Sequence, residues 1–235
     1  MRLHRFFVSE QFEVGKRFTV TDENIIHQWR LVFRYKTGIE VILFNGSGFD
    51  FTALITDLRK DAVEVEVVEK KKSSANISRE IYLFSSLIKK DNYEWVLEKC
   101  TELGVSYFVP IISARTEKKD INPDRAVKII TEAAEQSGRG TVPTLFGVMD
   151  IASAVQAFAG EKIQHIVFDG SGKQFAVDEF EKSEKVGIWI GPEGGWSDGE
   201  LAGFKELKMP IVKVGSGQVL RAETATVAVV SLTLL

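Results

Sequence analysis

The 235-residue sequence predicts an α/β chain: a mostly parallel sheet with helices on both faces, preceded by a small β-barrel. Three observations predict it. Residues 1 to about 69 are dominated by short β-branched and aromatic runs separated by turn residues. From Ile81 onward, short apolar runs alternate with segments of helical period, the pattern of βα units joined by right-handed crossovers. Two glycine-rich stretches, Gly191–Asp198 and Val214–Ala225, each follow a buried-strand run (Val186–Ile190 and Ile211–Val214) and lead into a helix. Both loops are therefore expected at the C-terminal ends of neighbouring parallel strands, the edge where open α/β sheets bind ligands.

In the first part, Arg2 and Arg5 precede the first strand, and strands are expected over Phe18–Thr21, Glu40–Asn45, Phe49–Thr56 and Ala62–Val68. Asn45-Gly46-Ser47-Gly48 reads as a hairpin turn. Val63 to Val67 alternates apolar and charged residues, the mark of a strand wet on one face. Asp22 to Tyr35 is the expected helix, with Asp22 or Asn24 as its cap. Lys70 to Asn76 is basic, then small and polar. It reads as a linker and divides the chain into residues 1–72 and 73–235.

In the second part, Ile81–Ser85 is a strand. The helix after it puts Tyr93, Val96, Leu97, Cys100 and Leu103 on one face and stops at Gly104. Tyr107–Ile112 is the next strand. Asn122 then caps a helix with Pro123 at its first position, Ala126, Ile129, Ile130, Ala133, Ala134 and Ser137 on its buried face, and Gly138 at its end. Ile166–Phe168, Ile188–Ile190 and Ile211–Val214 are further strands, and Ser197-Asp198-Gly199-Glu200 is a capping box opening a helix toward Leu207. Ala225 to Leu232 is β-branched enough for a strand. As a helix it would be apolar all round and need cover on every side, which suits a subunit interface.

Composition excludes several classes. At 44% hydrophobic residues the chain has material for packed cores and no sign of disorder. Met1 to Phe7 has no apolar signal core, and the longest apolar run, near Val227 to Leu235, is far short of the ~20 residues that span a membrane. A cytoplasmic protein is expected. The single cysteine, Cys100, excludes an internal disulfide and a cysteine-built metal site, and its place on an apolar helix face reads as core packing. His4, His27 and His165 form no ligand spacing, so no metal is expected. Net charge is −3, split as +1 over residues 1–72 and −4 over 73–235, so any RNA contact uses a local patch. Gly170-Ser171-Gly172-Lys173-Gln174 comes near a P-loop and fails it: Val167 stands where the first glycine belongs, and Gln174 offers magnesium no hydroxyl.

Gly191-Pro192-Glu193-Gly194-Gly195-Trp196, followed by Val219-Leu220-Arg221-Ala222-Glu223-Thr224-Ala225, resembles the methyltransferases with a C-terminal trefoil knot, the SPOUT superfamily. Within it the resemblance is to the RsmE type, the 16S rRNA uracil-N3 methyltransferases. Trp95 to Val105, Glu135 to Arg139 and Arg2 to Phe7 agree with it, so it spans the chain. The resemblance implies a PUA-like, RNA-binding β-barrel over 1–72 and a knotted SPOUT methyltransferase domain over 73–235. The final segment is then a helix. It also implies S-adenosylmethionine as cofactor, S-adenosylhomocysteine as product, ribosomal RNA or the small subunit as partner, and a homodimer through the knotted domain. No membrane or metal enters.

The same resemblance, with the exposed backbone and apolar walls that the loops offer, assigns the cofactor to Phe168, Gly170, Ile190, Gly191, Pro192, Glu193, Gly194, Gly195, Val214, Gly215, Val219, Leu220, Thr224 and Ala225. The bland reading of each glycine is a tight turn. Three such loops on one sheet edge favour a ligand. Arg221 is a candidate to stabilise negative charge on the base, and Glu223 to accept a proton or orient Arg221. Equally, Glu223 caps the last helix and Arg221 pairs with Glu193 or Glu223. Arg2, Arg5, Arg30, Arg34 and Arg139 are the expected RNA contacts, since the planar arginine fork suits phosphate; Arg30 and Arg34 would share a helix face. Two other readings stand: a non-catalytic RNA-binding protein with a degenerate knot, and a knotted enzyme acting on another RNA position. The intact glycine-rich motifs argue against decay.

Overall fold

A computed structural model of the chain describes residues 3–73, 79–176, 183–215 and 218–233. Arg2 lies outside them. The chain divides into two compact units, Met1–Asn76 with Ala134–Val142, and Ile77–Ala133 with Pro143–Leu235.

In the first unit, β1 (Arg5–Phe7), β2 (Arg17–Val20), β3 (Glu40–Phe44), β4 (Phe49–Leu58) and β5 (Val63–Lys72) form a curled mixed sheet of order β1-β3-β4-β5-β2. β1 runs parallel to β3, and the other pairs are antiparallel. Alternation sends Val41 and Leu43, Phe51, Ala53 and Ile55, and Val63, Val65 and Val67 into one core. The β3–β4 connection is the expected hairpin turn, with Gly46 and Gly48 at φ +83° and +81°. The three lysines assigned to a linker instead extend β5 to Lys72, because each pairs across to β4 at Asp50, Phe49 or Phe51.

The helix expected over Asp22–Tyr35 is shorter. Asp22 Oδ1 accepts the Asn24 and Ile25 amides and starts α1 (Glu23–His27), which passes into a π-helical turn, Gln28–Val32, that buries Trp29. Arg34 follows at φ +53°, outside the helix, so Arg30 and Arg34 do not share a helical face.

Arg5 lies within β1 rather than ahead of it, and its side chain is 6% exposed. Nη2 donates to Asp50 Oδ1 at 2.5 Å and to the Arg139 carbonyl at 2.8 Å, and Nη1 to the Ala134 and Glu135 carbonyls. The Phe7 amide donates to Glu135 Oε1 at 2.8 Å. Together these bonds hold Ala134–Val142 to the sheet of its own unit. Arg139 is itself 3% exposed, and burial lowers its pKa to about 10. Two residues expected to contact RNA are therefore interior. Aligned hydrogen bonding to backbone carbonyls, which a sequence does not display, took Arg5 inside.

The second unit is a parallel sheet. β6 (Glu80–Ser86), β7 (Tyr107–Ile112), β8 (Thr144–Leu145), β10 (Gln164–Gln174), β11 (Lys185–Ile190) and β12 (Ile211–Lys213) follow the order β12-β10-β11-β6-β7-β8, with β9 (Met149–Asp150) also on β7. Every described pairing is parallel. Helices α2 (Lys90–Leu103), α3 (Pro123–Ser137), α4 (Ile151–Ala157), α5 (Asp198–Glu206) and α6 (Ala222–Leu232) connect or follow the strands. On one face, Tyr82, Phe84 and Trp189 pack with Phe158 and Phe204, the Trp189 ring stacked on Phe84 at 4.2 Å. On the other, the Ser85 hydroxyl meets the Tyr93 hydroxyl of α2 at 3.2 Å, and α6 packs on α2 and β11. Cys100 is fully buried in α2, and burial pushes its thiol pKa up, as a packing role requires. His165 accepts the Trp189 indole N–H at Nδ1, and burial lowers its pKa to about 4.

Several expectations change. β10 lies between β11 and β12, so the strands before the two glycine-rich loops are not neighbours. Asp169-Gly170-Ser171-Gly172 is not a loop after a strand but a bulge within β10, marked by a register shift against β12 between Phe168 and Lys173. β8, β9 and α4 were not expected; two-residue strands carry no period to read. The final segment is helical, and its burial is one-sided: Ala222, Thr226, Val229 and Val230 are buried, whereas Thr224 and Ser231 are exposed. Among the described residues no helix is long and apolar enough to cross a membrane, and no group of three His, Cys, Asp or Glu could hold a metal.

Removing Arg5 would take a donor from three carbonyls and leave Asp50 with the Ser73 hydroxyl in place of its cation. Arg5→Ala is expected to destabilise the protein by about 3 kcal/mol, the usual cost of breaking a buried pair from one side. Urea unfolding reads this as a lower midpoint, and a wild-type midpoint would show that the staple contributes nothing.

Candidate functional site

Three segments meet at the C-terminal edge of the parallel sheet. The first begins where β11 ends at Ile190. Gly195 sits at φ +67° and donates its amide to the Pro192 carbonyl at 2.8 Å, closing a tight turn that glycine alone enters without strain. A Cβ on Gly191 would lie 3.3 Å from the Trp196 ring. Trp196 is buried, donates its indole N–H to the Phe168 carbonyl at 3.2 Å and sets its ring edge-on to Phe204. The loop is thereby pinned to β10 and α5.

The start of α5 adds further restraint. Ser197 and Glu200 make the expected capping box, Glu200 Oε2 accepting the Ser197 amide at 2.7 Å. Glu200 Oε1 also accepts the Ala114 amide at 2.7 Å, and Arg115 Nη1 donates to the Gly194 carbonyl at 2.8 Å. The chain beyond β7 thus holds the glycine-rich loop from the other side.

The second segment is the bulge in β10. Asp169 Oδ1 accepts the Ser171 amide and hydroxyl at 2.9 and 2.6 Å, which shapes the turn. Gly172 lets the chains close: a Cβ there would sit 2.6 Å from Val212 backbone atoms. Gly170 differs, since a Cβ would meet nothing within 4 Å. Neither packing nor φ requires glycine at 170, and its absence of a side chain leaves backbone bare. The third segment runs from the end of β12 to Arg221, the N-cap of α6, whose carbonyl accepts the Ala225 amide at 2.8 Å.

Between these segments lies a cavity of about 620 Å³. From β10 it takes Phe168, Asp169 and Gly170. From the β11 loop come Ile190 to Glu193, Gly195 and Trp196, from the third segment Lys213 to Gly215 and Gln218 to Arg221, and from α6 Ala222 and Ala225. Twelve of the fourteen residues assigned to the cofactor thus line one cavity. Gly194 and Thr224 do not: Gly194 turns its carbonyl to Arg115, and Thr224 faces outward on α6. Asp169, Trp196, Lys213, Gln218 and Ala222 are lining residues that sequence reading left out, although all lie within or beside the motifs.

Arg221 also lines the cavity, with its side chain 83% exposed and Nη1 4.0 Å from Glu223 Oε1. The Glu223 side chain is 13% exposed, and its Oε2 is buried with no hydrogen-bond partner among the described residues. Val219 is 99% exposed and Leu220 36%, so the rim is apolar and uncovered. Of the arginines expected to contact RNA, Arg30 is half-buried and donates to the Lys60 carbonyl at 3.2 Å, and Arg34 is exposed. Neither belongs to this edge.

Comparison with known proteins matches a family model described as an RNA methyltransferase domain to residues 75–234. The chain is 29% identical to ribosomal RNA small subunit methyltransferase E of Bacillus subtilis, over 95% of this chain and 93% of that protein. It is 30% identical to the Helicobacter pylori (strain J99) protein of the same name, over 91% and 92%. Among solved structures it is similar to ribosomal RNA small subunit methyltransferase E from Neisseria gonorrhoeae bound to S-adenosyl methionine. There the TM-score is 0.88 and the identity 28%, covering 98% and 96% of the two chains. A putative methyltransferase from Legionella pneumophila with bound SAM also gives a TM-score of 0.88, at 26% identity, covering 99% of this chain and 97% of that one.

The two glycines of the bulge separate packing from access. Gly172→Ala is expected to cost about 2 kcal/mol, because the added methyl must push β12 away. Gly170→Ala should stay within about 0.5 kcal/mol of wild type. Paired urea titrations check both values, and equal midpoints for the two variants would refute the bulge packing.

Proposed function

The chain belongs to the RNA methyltransferase family, within it to the ribosomal RNA small subunit methyltransferase E type, and from that premise we propose that it methylates N3 of a uridine in 16S ribosomal RNA with S-adenosylmethionine. The observation that carries the reading is the cavity at the C-terminal sheet edge, walled by the motif residues of three segments. Its fit to the cofactor supports the assignment. The volume of about 620 Å³ lies within the roughly 300–1,000 Å³ of small-molecule sites. Phe168, Ile190, Val214 and Leu220 supply apolar walls, while Gly170 and Gly215 leave backbone able to hydrogen-bond an adenine edge. Asp169 and Glu193 bring carboxylates suited to a cationic ligand.

When bound, S-adenosylmethionine supplies an electrophilic methyl on a sulfonium and departs as S-adenosylhomocysteine. The protein's part is chiefly positioning, which contributes about 7–11 kcal/mol to well-oriented bimolecular reactions. The pinned Gly191–Trp196 loop and the β10 bulge are rigid walls for that purpose. The uracil N3 must lose its proton as the new N–C bond forms. Arg221, at the rim, balances the negative charge that spreads onto the base. Glu223, with one carboxylate oxygen unpartnered among the described residues and the other 4.0 Å from Arg221, either takes the proton or orients the guanidinium.

We further infer that the C-terminal chain is knotted and that α6 forms part of a homodimer interface. The uncovered Val219, just ahead of α6, supports the second point. RNA docking on the first unit rests on Arg30 and Arg34, since Arg5 and Arg139 are interior. A ribosomal RNA substrate supports a cytoplasmic location.

The direct test is mass spectrometry of 16S rRNA nucleosides from cells with and without the protein. N3-methyluridine should vanish with it, and its persistence would remove the assignment. Calorimetry gives a second check: Gly195→Val, strained at positive φ in the cavity wall, should lower S-adenosylmethionine affinity at least tenfold while circular dichroism stays that of the folded protein. Sedimentation at micromolar concentration should give twice the 26.3 kDa chain mass; a stable monomer would dismiss the dimer.

A further inference from the structure

A second, smaller cavity of about 300 Å³ adjoins the one described above. Leu87, Ile88, Lys89, Lys90, Glu117, Lys118 and Glu193 line it. Glu193 is common to both cavities, so one carboxylate stands in the wall between them. Two backbone segments at the same sheet edge supply the rest: the turn from β6 into α2, and the segment after β7 that also carries Arg115 to the Gly194 carbonyl.

The charges in the small cavity are asymmetric. Three lysines line it against two glutamates. Lys118 is held at 2.9 Å by Asp120, and Lys90 has only a loose contact with Glu94 at 3.8 Å, a carboxylate already engaged by both arms of Arg125 at 2.6 Å. Among the described residues Lys89 makes no ion pair, and it is exposed. Lys89 is thus the one lysine of the three without a carboxylate partner among the described residues, and an exposed lysine can neutralise a backbone phosphate. Farther along, a third cavity shares Ile88, Lys90 and Lys118 but adds Glu94, Asp120 and Asp124, whose charge would repel a polyanion. The unpaired Lys89 lines only the cavity at the end beside the cofactor cavity.

Glu193 sets an orientation. Its Oε1 accepts the Lys89 amide at 3.4 Å, a long contact that leaves the carboxylate a free-standing acceptor in the shared wall. A phosphate beside it would be repelled, so the base rather than the phosphate faces this wall. We propose that this cavity receives the target pyrimidine nucleotide of the RNA, with the base toward Glu193 and the methyl-donor cavity, and the phosphate toward Lys89, Lys90 and Lys118. The inference rests on the methyltransferase reading above and adds to it the place where the substrate enters. It puts phosphate contacts on the second unit, apart from those of Arg30 and Arg34.

The test uses the full-length protein with unmodified 16S rRNA, both free and in small subunits from cells lacking the protein. Methylation by wild type is the control, and its absence would fail the functional reading itself rather than this inference. With the control in hand, Lys89→Glu and the doubly substituted Lys89→Ala, Lys118→Ala are compared with wild type. The expected result is a KM for RNA raised at least tenfold by Lys89→Glu, with S-adenosylmethionine affinity by calorimetry within twofold of wild type. The double alanine variant should also lower the slope of log affinity against log salt by about 0.7 for each lost phosphate contact with single-stranded RNA. Unchanged KM and salt slope in both variants would overturn the proposal. So would a parallel loss of cofactor affinity, which would show that the lysines shape the Glu193 loop instead. The alanine variant guards against misfolding by the charge reversal.

Discussion

The cavity depends on the pairing of β10 between β11 and β12. That strand touches both neighbours, and its Phe168 carbonyl receives the Trp196 indole that pins the glycine-rich loop. Its bulge places Gly170 in the wall and brings Gly172 against Val212 so closely that no side chain fits. Shift this strand by one residue and every alternate side chain changes face. Phe168 would leave the cavity, and Val167 would leave the aromatic core it shares with Trp189. Backbone pairing, rather than any polar side chain, therefore carries the geometry on which the chemistry relies.

A second layer of restraint comes from polar groups that each serve two segments. Glu200 closes the capping box of α5 and accepts the Ala114 amide with its other oxygen. Arg115 reaches the carbonyl of Gly194. These bonds tie the segment after β7, which lines the smaller lysine-bearing cavity, to the loop that lines the larger one. Such charge-assisted bonds to backbone are short and directional, so they transmit position well. The first unit uses the same device in Arg5, which gathers Asp50 and three carbonyls around one guanidinium.

Much of this was legible in the sequence. Apolar runs located β6, β7, β11 and β12, helical periodicity located α2 and α3, and the Ser197–Glu200 spacing located the start of α5. The glycine-rich motifs located most of the cavity wall, because a ligand that approaches bare backbone needs glycine and leaves that signature in the chain. The arginines were not legible in the same way. Arg5, Arg30, Arg34 and Arg139 look alike as letters. Yet one is a buried staple, one is buried beside it, one caps a carbonyl, and one sits exposed at positive φ.

By itself, then, the sequence determined the fold class, the order of the elements and the identity of the loops that form the candidate site, since period and turn chemistry are local properties of the chain. Only the tertiary structure decided which strands are neighbours, that Asp169 to Gly172 bulges inside β10, and that Ala134–Val142 groups with the first unit. It also decided that a second cavity shares Glu193 with the first. Each of these depends on contacts between residues far apart in the chain, where hydrogen-bond register and excluded volume choose among arrangements that local propensity leaves equally open.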